Sequence, residues 1–307
     1  MRVDVADTSS LTFDDGSPVR AASAIAALGD GWLIVQDDAT HAAWWRSGSV
    51  TAVRAVEPVD GLEVFSSVAG TKHLKPDFEA ACAVSVGGLE GVLLLGSGSA
   101  GPRMRASLVT LGTAERGQSA LVADLTPVYR AVAGALGLRV DQLNLEGACL
   151  IGDRLRWFQR GNAAAAAPTA CVDVDVAALL AAVTGARAAD HVEVGEVRRY
   201  DLGQVDGVTL AVTDAVALAG GRVLVSAAAE DTPNAVDDGP VVGAALALLD
   251  DDGVVAIAQL PGSASGVYKV EGLAVTETTA DGLSLFAVVD ADEPATPSEQ
   301  LTLRLRW

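Results

Sequence analysis

An all-β fold is what the sequence predicts, on three observations. Apolar residues alternate with period two over many short segments, glycines and acidic pairs punctuate them, and one strand–turn–strand pattern recurs along the chain. Phe78 to Val84 (FEAACAV), Leu145 to Ile151 (LEGACLI) and Val270 to Val275 (VEGLAV) each open with an apolar residue and a glutamate, pass through small residues and end apolar. Each then turns into a second apolar run: VLLLGSGS, RLRWFQRGN and LSLFAVVDADEP. Two further segments fit this frame without the glutamate. Ser23 to Leu28 turns through Gly29-Asp30-Gly31 into WLIVQDD, and Asp214 to Leu218 turns through Gly220-Gly221 into RVLVSAAAEDTP.

The five starts, at 23, 79, 146, 214 and 271, are spaced by 56, 67, 68 and 57 residues. About 40–50 residues make one four-stranded blade, so each interval holds a blade and some insertion. The predicted fold is therefore a five-bladed β-propeller in which residues 1–307 form one domain, a six-bladed ring being the alternative. Third and fourth strands are legible in segments such as Met104 to Val109 and Val254 to Ala258. The final unit, ending at Leu301 to Trp307, is one strand short. Arg2 to Val5 and Ser10 to Phe13 precede the first unit and are expected to supply that strand, which removes the open edge of the ring. Two helical insertions are expected on the rim, one from Thr126-Pro127 as N-cap and first helical residue, the other after Asp175 as N-cap.

Composition excludes several function classes. A net charge of −19 and a pI near 4.4 repel phosphate backbones and anionic lipid surfaces, so no nucleic-acid or membrane partner is expected. No stretch approaches the ~18 apolar residues of a membrane span, and MRVDVADTSS lacks an export pattern, which leads to the expectation of a cytoplasmic protein. Cys82, Cys149 and Cys171 lack the spacing of a disulfide framework or zinc site. Cys82 and Cys149 stand where other units have alanine and read as packing residues. Gly96-Ser97-Gly98-Ser99-Ala100-Gly101 matches a dinucleotide fingerprint, but Pro102 and then a period-two segment follow it where that fingerprint needs a helix.

In a propeller the innermost strands face the axis, so equivalent positions on successive blades converge on a central channel. Glu79, Glu146 and Glu271 occupy equivalent positions, with Asp214 fourth and Ser23 fifth. Close carboxylates require a cation, shared protons or ample water. The candidates are thus a metal site built from Glu79, Glu146, Asp214 and Glu271, suited to Ca²⁺ or Mg²⁺, or a water-filled channel whose carboxylates bond to backbone N–H groups. Loops entering the first strand and turns after the second, including Asp37-Asp38, Ser97 to Ser99, Arg160 to Asn162, Glu230-Asp231 and Asp290 to Glu293, are expected at one mouth. All three lysines of the chain, Lys72, Lys75 and Lys269, sit within seven residues ahead of a column glutamate. With Arg103 and Arg160 they are candidates to hold a small anionic molecule, or to neutralise the carboxylates. His73 is a candidate acid or base beside Glu146. His41 and His191 have no supporting neighbours.

At KHLKPDFEAACAV, LNLEGACLI, FQRGN, YKVEGLAV and DADEPATPSEQL the sequence resembles uncharacterised bacterial β-propeller proteins distantly similar to esterase-like phytases. Those families repeat an E-G-apolar-A motif on their inner strands. The resemblance carries over to Glu79, Glu146 and Glu271; taken with the lysines and His73, these lead to the expectation of a metal-assisted hydrolase acting on a small phosphoester or related anionic ester, with Glu146 and His73 in catalysis. A non-catalytic propeller binding a small anion or a protein partner on the same face is the alternative.

Overall fold

The computed structural model describes residues 1–232, 239–262, 266–290 and 296–307. Strand β1 (Arg2–Ser10) precedes a first blade of β2 (Ala22–Leu28), β3 (Gly31–Gln36), β4 (His41–Arg46) and β5 (Ser49–Arg54). The second blade has β6 (Phe78–Val86), β7 (Leu89–Gly96), β8 (Arg105–Thr110) and β9 (Leu121–Asp124), with helix α1 (Leu111–Arg116) between β8 and β9. Helix α2 (Thr126–Leu136) leads to the third, made of β10 (Leu145–Ile151), β11 (Arg154–Gln159), β12 (Ala170–Asp175) and β13 (Val194–Arg199), with α3 (Val176–Val183) before β13. The fourth adds the short β14 (Gln204–Val205) to β15 (Val208–Ala217), β16 (Val223–Glu230), β17 (Val241–Asp250) and β18 (Gly253–Gln259). The fifth is β19 (Val270–Thr279), β20 (Gly282–Val289) and β21 (Glu299–Arg306).

These form the five blades of a β-propeller, and β1 completes the fifth by pairing antiparallel with β21, from Arg2 opposite Arg306 to Ser10 opposite Glu299. Residues 11–13, expected to extend that strand, leave the ladder. Leu11 and Phe13 instead pack beside Val19 and Ala22, where Ser298 joins the two ends of the chain: Leu11 N–H donates to its carbonyl, its own N–H donates to Val19, and its hydroxyl accepts from Ala22 N–H.

The inner strands β2, β6, β10, β15 and β19 each neighbour the next around the axis, and β19 neighbours β2. Small residues dominate there because the strands nearly touch. A Cβ on Gly272 would lie 2.9 Å from Ala24 Cα, and one on Gly147, whose φ is +76°, would lie 2.8 Å from Asp214 Cα. Each inner strand carries a bulge, near its start in four blades and midway along β15 in the fourth, which leaves one or two residues outside the ladder: Ser23, Glu79, Glu146 with Gly147, Thr213 and Glu271. Thr213 is therefore the fourth member of the column. Asp214, assigned there from the sequence, pairs with Ser226 one step further along β15. The hydroxyls of Ser23 and Thr213 play one role on two blades, each donating over 2.6 Å to the carbonyl just ahead of the next blade's bulge, Phe78 and Val270.

Helix α2 differs from expectation in both cap and place. Its N-cap is Leu125, and Asp124 accepts from the Thr126 N–H at 2.8 Å. It lies between blades, burying Val128, Tyr129, Val132, Ala133 and Leu136 in the wedge between the second and third. Tyr129 stacks edge-on to Trp157 at 4.8 Å and donates its hydroxyl to Gly96 at 2.7 Å. Asp175 caps α3 as expected, accepting from Ala178 N–H. The short helix α1, capped by Thr110, was not legible in the sequence.

Candidate functional site

Backbone hydrogen bonds bring the predicted loops together at one mouth. The N–H of Asp37 donates to Ala21, that of Asp77 to Asp37, that of Ser97 to Asp77, and that of Leu145 to Ser97. The entries to β2 and β6 are thus stitched to the turn of their own blade, and those to β6 and β10 to the turn of the blade before. Asp77 adopts a left-handed φ of +61°, which aspartate tolerates better than most residues, and is buried. Within this collar lies a cavity of about 350 Å³, lined by Ser23, Asp37, Lys72, His73, Lys75, Asp77, Glu79, Ser99, Arg103, Asn144, Glu146, Arg160, Lys269, Glu271 and Asp290 among others. Of the turn Asp290 to Glu293, residues 291–293 lie outside the described residues.

Two charge clusters make up the wall. In the first, the Lys75 ammonium is bonded to Asp37, lies 2.6 Å from Asp77 and 3.7 Å from Glu79. Asp77 also takes Arg103 at 3.0 Å and the hydroxyl of Ser97. Burial alone would depress Lys75, but Asp37, Asp77 and Glu79 hold its ammonium well above the usual lysine range. Asp77 is lowered despite its burial, because Lys75 and Arg103 face it. Glu79 is pushed well up by burial and by Asp37. Oxygens of Asp37, Asp77 and Glu79 lie within 4.8 Å of one another, so this acidic group could hold a metal ion. In the present arrangement Lys75 supplies its positive charge.

In the second cluster, Arg160 Nη1 contacts Glu146 at 3.0 and 3.3 Å and Nη2 bonds to Glu230. Lys269 Nζ lies 3.3 Å from Glu230 and 3.2 Å from Glu271. Asn144 donates its side-chain amide to Glu146 at 2.7 Å. Burial raises Glu146 to about 7, with Arg160 opposing and Glu271 reinforcing the shift. Glu230 is lowered against its burial by Arg160 and Lys269.

The structure thus gathers Lys72, His73, Lys75, Glu79, Arg103, Glu146, Arg160, Lys269 and Glu271 around one cavity. It does not gather them as a single carboxylate ring. The proposed metal set of Glu79, Glu146, Asp214 and Glu271 is corrected: Glu79 belongs with Asp37 and Asp77, Glu146 and Glu271 are ion-paired to Arg160 and Lys269, and Asp214 gives one oxygen to the Leu273 N–H. His73 is exposed on a short 3₁₀ turn at the rim. Asp37 and Glu230 were expected at the mouth as parts of its turns, but neither they nor Asp77 and Asn144 were assigned a role in the site from the sequence. The available signal was their place, each immediately at the end of a second strand or the entry of a first.

Residues 71–294 match the model of a family of unknown function, DUF6910. The chain belongs to that family. No curated protein matches its sequence. The DUF6910 fold is similar to glutaminyl cyclase from Myxococcus xanthus, with a TM-score of 0.50 and 8% identity over 99% of this chain and 97% of that one. It is similar, too, to a structure of the GH130 family of mannoside phosphorylases, described as containing glycoside hydrolases that target β-1,2 mannosidic linkages in Candida mannan. There the TM-score is 0.51 and the identity 10%, over 94% and 84% of the two chains. At such identities the likeness is one of fold. Among the described residues, no helix of this DUF6910 chain is long and apolar enough to cross a membrane.

Proposed function

We propose that the channel mouth is a site of general acid–base hydrolysis on a small polar substrate. The observation that carries this reading is Glu146: a buried carboxyl raised to about 7, oriented by Asn144 and Arg160, and open to a cavity of about 350 Å³. A group with that pKa is protonated often enough at neutral pH to give a proton and basic enough to take one back. Glu271, ion-paired with Lys269, lines the same cavity as the second carboxylate. Pairs of carboxyls with different surroundings divide acid and base roles between them. Glu146 would protonate the leaving oxygen while Glu271 takes a proton from the attacking water, and exchange with solvent then restores both.

The ion pairs bear on the substrate. Lys75, Arg103, Arg160 and Lys269 are already matched to carboxylates, so an anion entering here competes with the protein's own acids. That favours an uncharged ester or glycoside over the phosphoester and over the small anion expected from the sequence. A metal-assisted version of the same hydrolysis has one observation behind it, the acidic group of Asp37, Asp77 and Glu79, where Ca²⁺ or Mg²⁺ would have to displace Lys75. The deciding experiment is a panel of chromogenic glycosides, carboxylic esters and phosphoesters, run with chelator and with each cation. Turnover without metal that falls by about 10²–10⁴-fold in E146Q, with the fold intact, supports the acid–base reading. Turnover unchanged in E146Q, or silence across the panel, refutes it and leaves a binding module.

A further inference from the structure

Asp214 is excluded from the column, yet it is 2% exposed and lies among acids. Its Oδ2 accepts from the Leu273 N–H at 2.6 Å, while Oδ1 is buried with no hydrogen-bond partner among the described residues. The groups that face it are Glu146 on β10 and Glu271 on β19, with the thiols of Cys82 on β6 and Cys149 on β10 nearby. No cation among the described residues pairs with it: Arg160 and Lys269 are bonded to Glu146, Glu230 and Glu271, and Lys75 to the first cluster. A Cβ on Gly147 would lie 2.8 Å from Asp214 Cα, so β10 and β15 are in close backbone contact at this residue. An ionised carboxylate buried beside two further acids without a counter-ion costs several kcal/mol. A neutral one carries an O–H, and buried polar groups left unpaired are rare in proteins.

We propose that Asp214 is a neutral carboxylic acid whose unpartnered oxygen presents a hydrogen bond to an internal water held beneath the cavity that Glu146 and Glu271 line. It is a positioning residue. Burial, reinforced by Glu271 and Glu146, pushes its pKa well above the usual carboxyl range against the N–H groups of Leu273 and Ala215, in agreement with that geometry. Only its effect on turnover rests on the acid–base reading of the mouth.

The sign of its linkage to stability provides the test. A carboxyl raised in the folded state retains a proton that the unfolded chain has lost, so folding stability falls as pH rises from the ordinary value near 3.8 towards the raised one. D214N has no such proton to retain, and its amide oxygen still accepts from Leu273. Relative to wild type, D214N should gain stability as pH rises from about 4 towards the raised value, measured by denaturant unfolding. The wild-type minus D214N infrared difference should show a protonated carboxyl at neutral pH. A crystal structure should place an ordered water within about 3.2 Å of Oδ1. A D214N advantage that shrinks or reverses with rising pH, no protonated-carboxyl band, or a dry and packed Oδ1 would each overturn the proposal. None of these measurements needs a substrate, so they stand apart from the fate of Glu146. If the panel yields one, D214A should lower kcat and D214N should restore most of it.

Discussion

One guanidinium nitrogen of Arg160 lies 3.0 and 3.3 Å from the two oxygens of Glu146, while the other is bonded to Glu230. A single permanent cation therefore opposes the burial that raises the group on which the proposed chemistry depends, and joins the third blade to the fourth. Arg160 itself is held charged, against its burial, by Glu146, Glu271 and Glu230.

Replacing that cation should act in two ways. R160Q removes what holds Glu146 down, so its pKa should rise above about 7 and the alkaline limb of any pH–rate profile should move to higher pH. It also leaves buried acids short of a partner, at a cost of about 3–5 kcal/mol. Unfolding in denaturant and the profile measure these separately, and an unmoved limb would show that Glu146 is not the titrating group.

Lys75 is the internal cation of the Asp37, Asp77 and Glu79 group. K75M should destabilise the protein by about 3–5 kcal/mol at neutral pH. Added Ca²⁺ or Mg²⁺ should raise the melting temperature of K75M well above any effect on wild type, because a ligand that binds only the native state stabilises it by mass action. Equal responses in the two proteins would exclude this group as the cation site.

Asp77 provides the opposite pH sign to Asp214. Its pKa is held below the ordinary 3.8 in the folded state by Lys75 and Arg103, so its contribution is complete above that value and is lost as pH falls through the lowered one. D77N should be less stable than wild type at pH 7, and the gap should close on acidification below about pH 4. A gap independent of pH would mean that Asp77 acts through its hydrogen bonds from Ser97 and Ser99 rather than its charge.

Deleting residues 1–10 removes β1 and exposes the edge of β21. The melting temperature should fall for the whole ring and association through the bare edge should increase, both accessible to calorimetry and light scattering. An unchanged melting temperature would refute closure by β1.

The ring was legible because its inner strands repeat: close approach favours a small residue after the column position, Ala24, Ala80, Gly147 and Gly272 in four of the five blades, and the glutamates mark the bulges. The fourth start was misread by one residue. Thr213 and Asp214 are both polar, and only the register against β16 shows that the threonine hydroxyl does what Ser23 does on the first blade. The mouth was legible as a collection of loops but not as two clusters. Lys75 lies four residues before Glu79 in sequence, yet two of its three acids, Asp37 and Asp77, come from a neighbouring turn and a left-handed position, which no spacing rule exposes. Helix α2 reads as amphipathic, but nothing local says that its apolar face fills a gap between blades.

The pairing of Arg2 with Arg306 has a consequence for synthesis on the ribosome. Strand β1 is made before every other strand of the ring, and its partner β21 after all of them. Until then β1 waits with its backbone donors and acceptors bare. Blades one to four can each form a sheet from neighbouring sequence, but the ring cannot shut until all five blades have been made, a very long-range contact of the kind that slows folding. The charged and polar side chains along Arg2 to Ser10, with Asp4 and Asp7 among them, are what keep that waiting strand from pairing with another nascent chain.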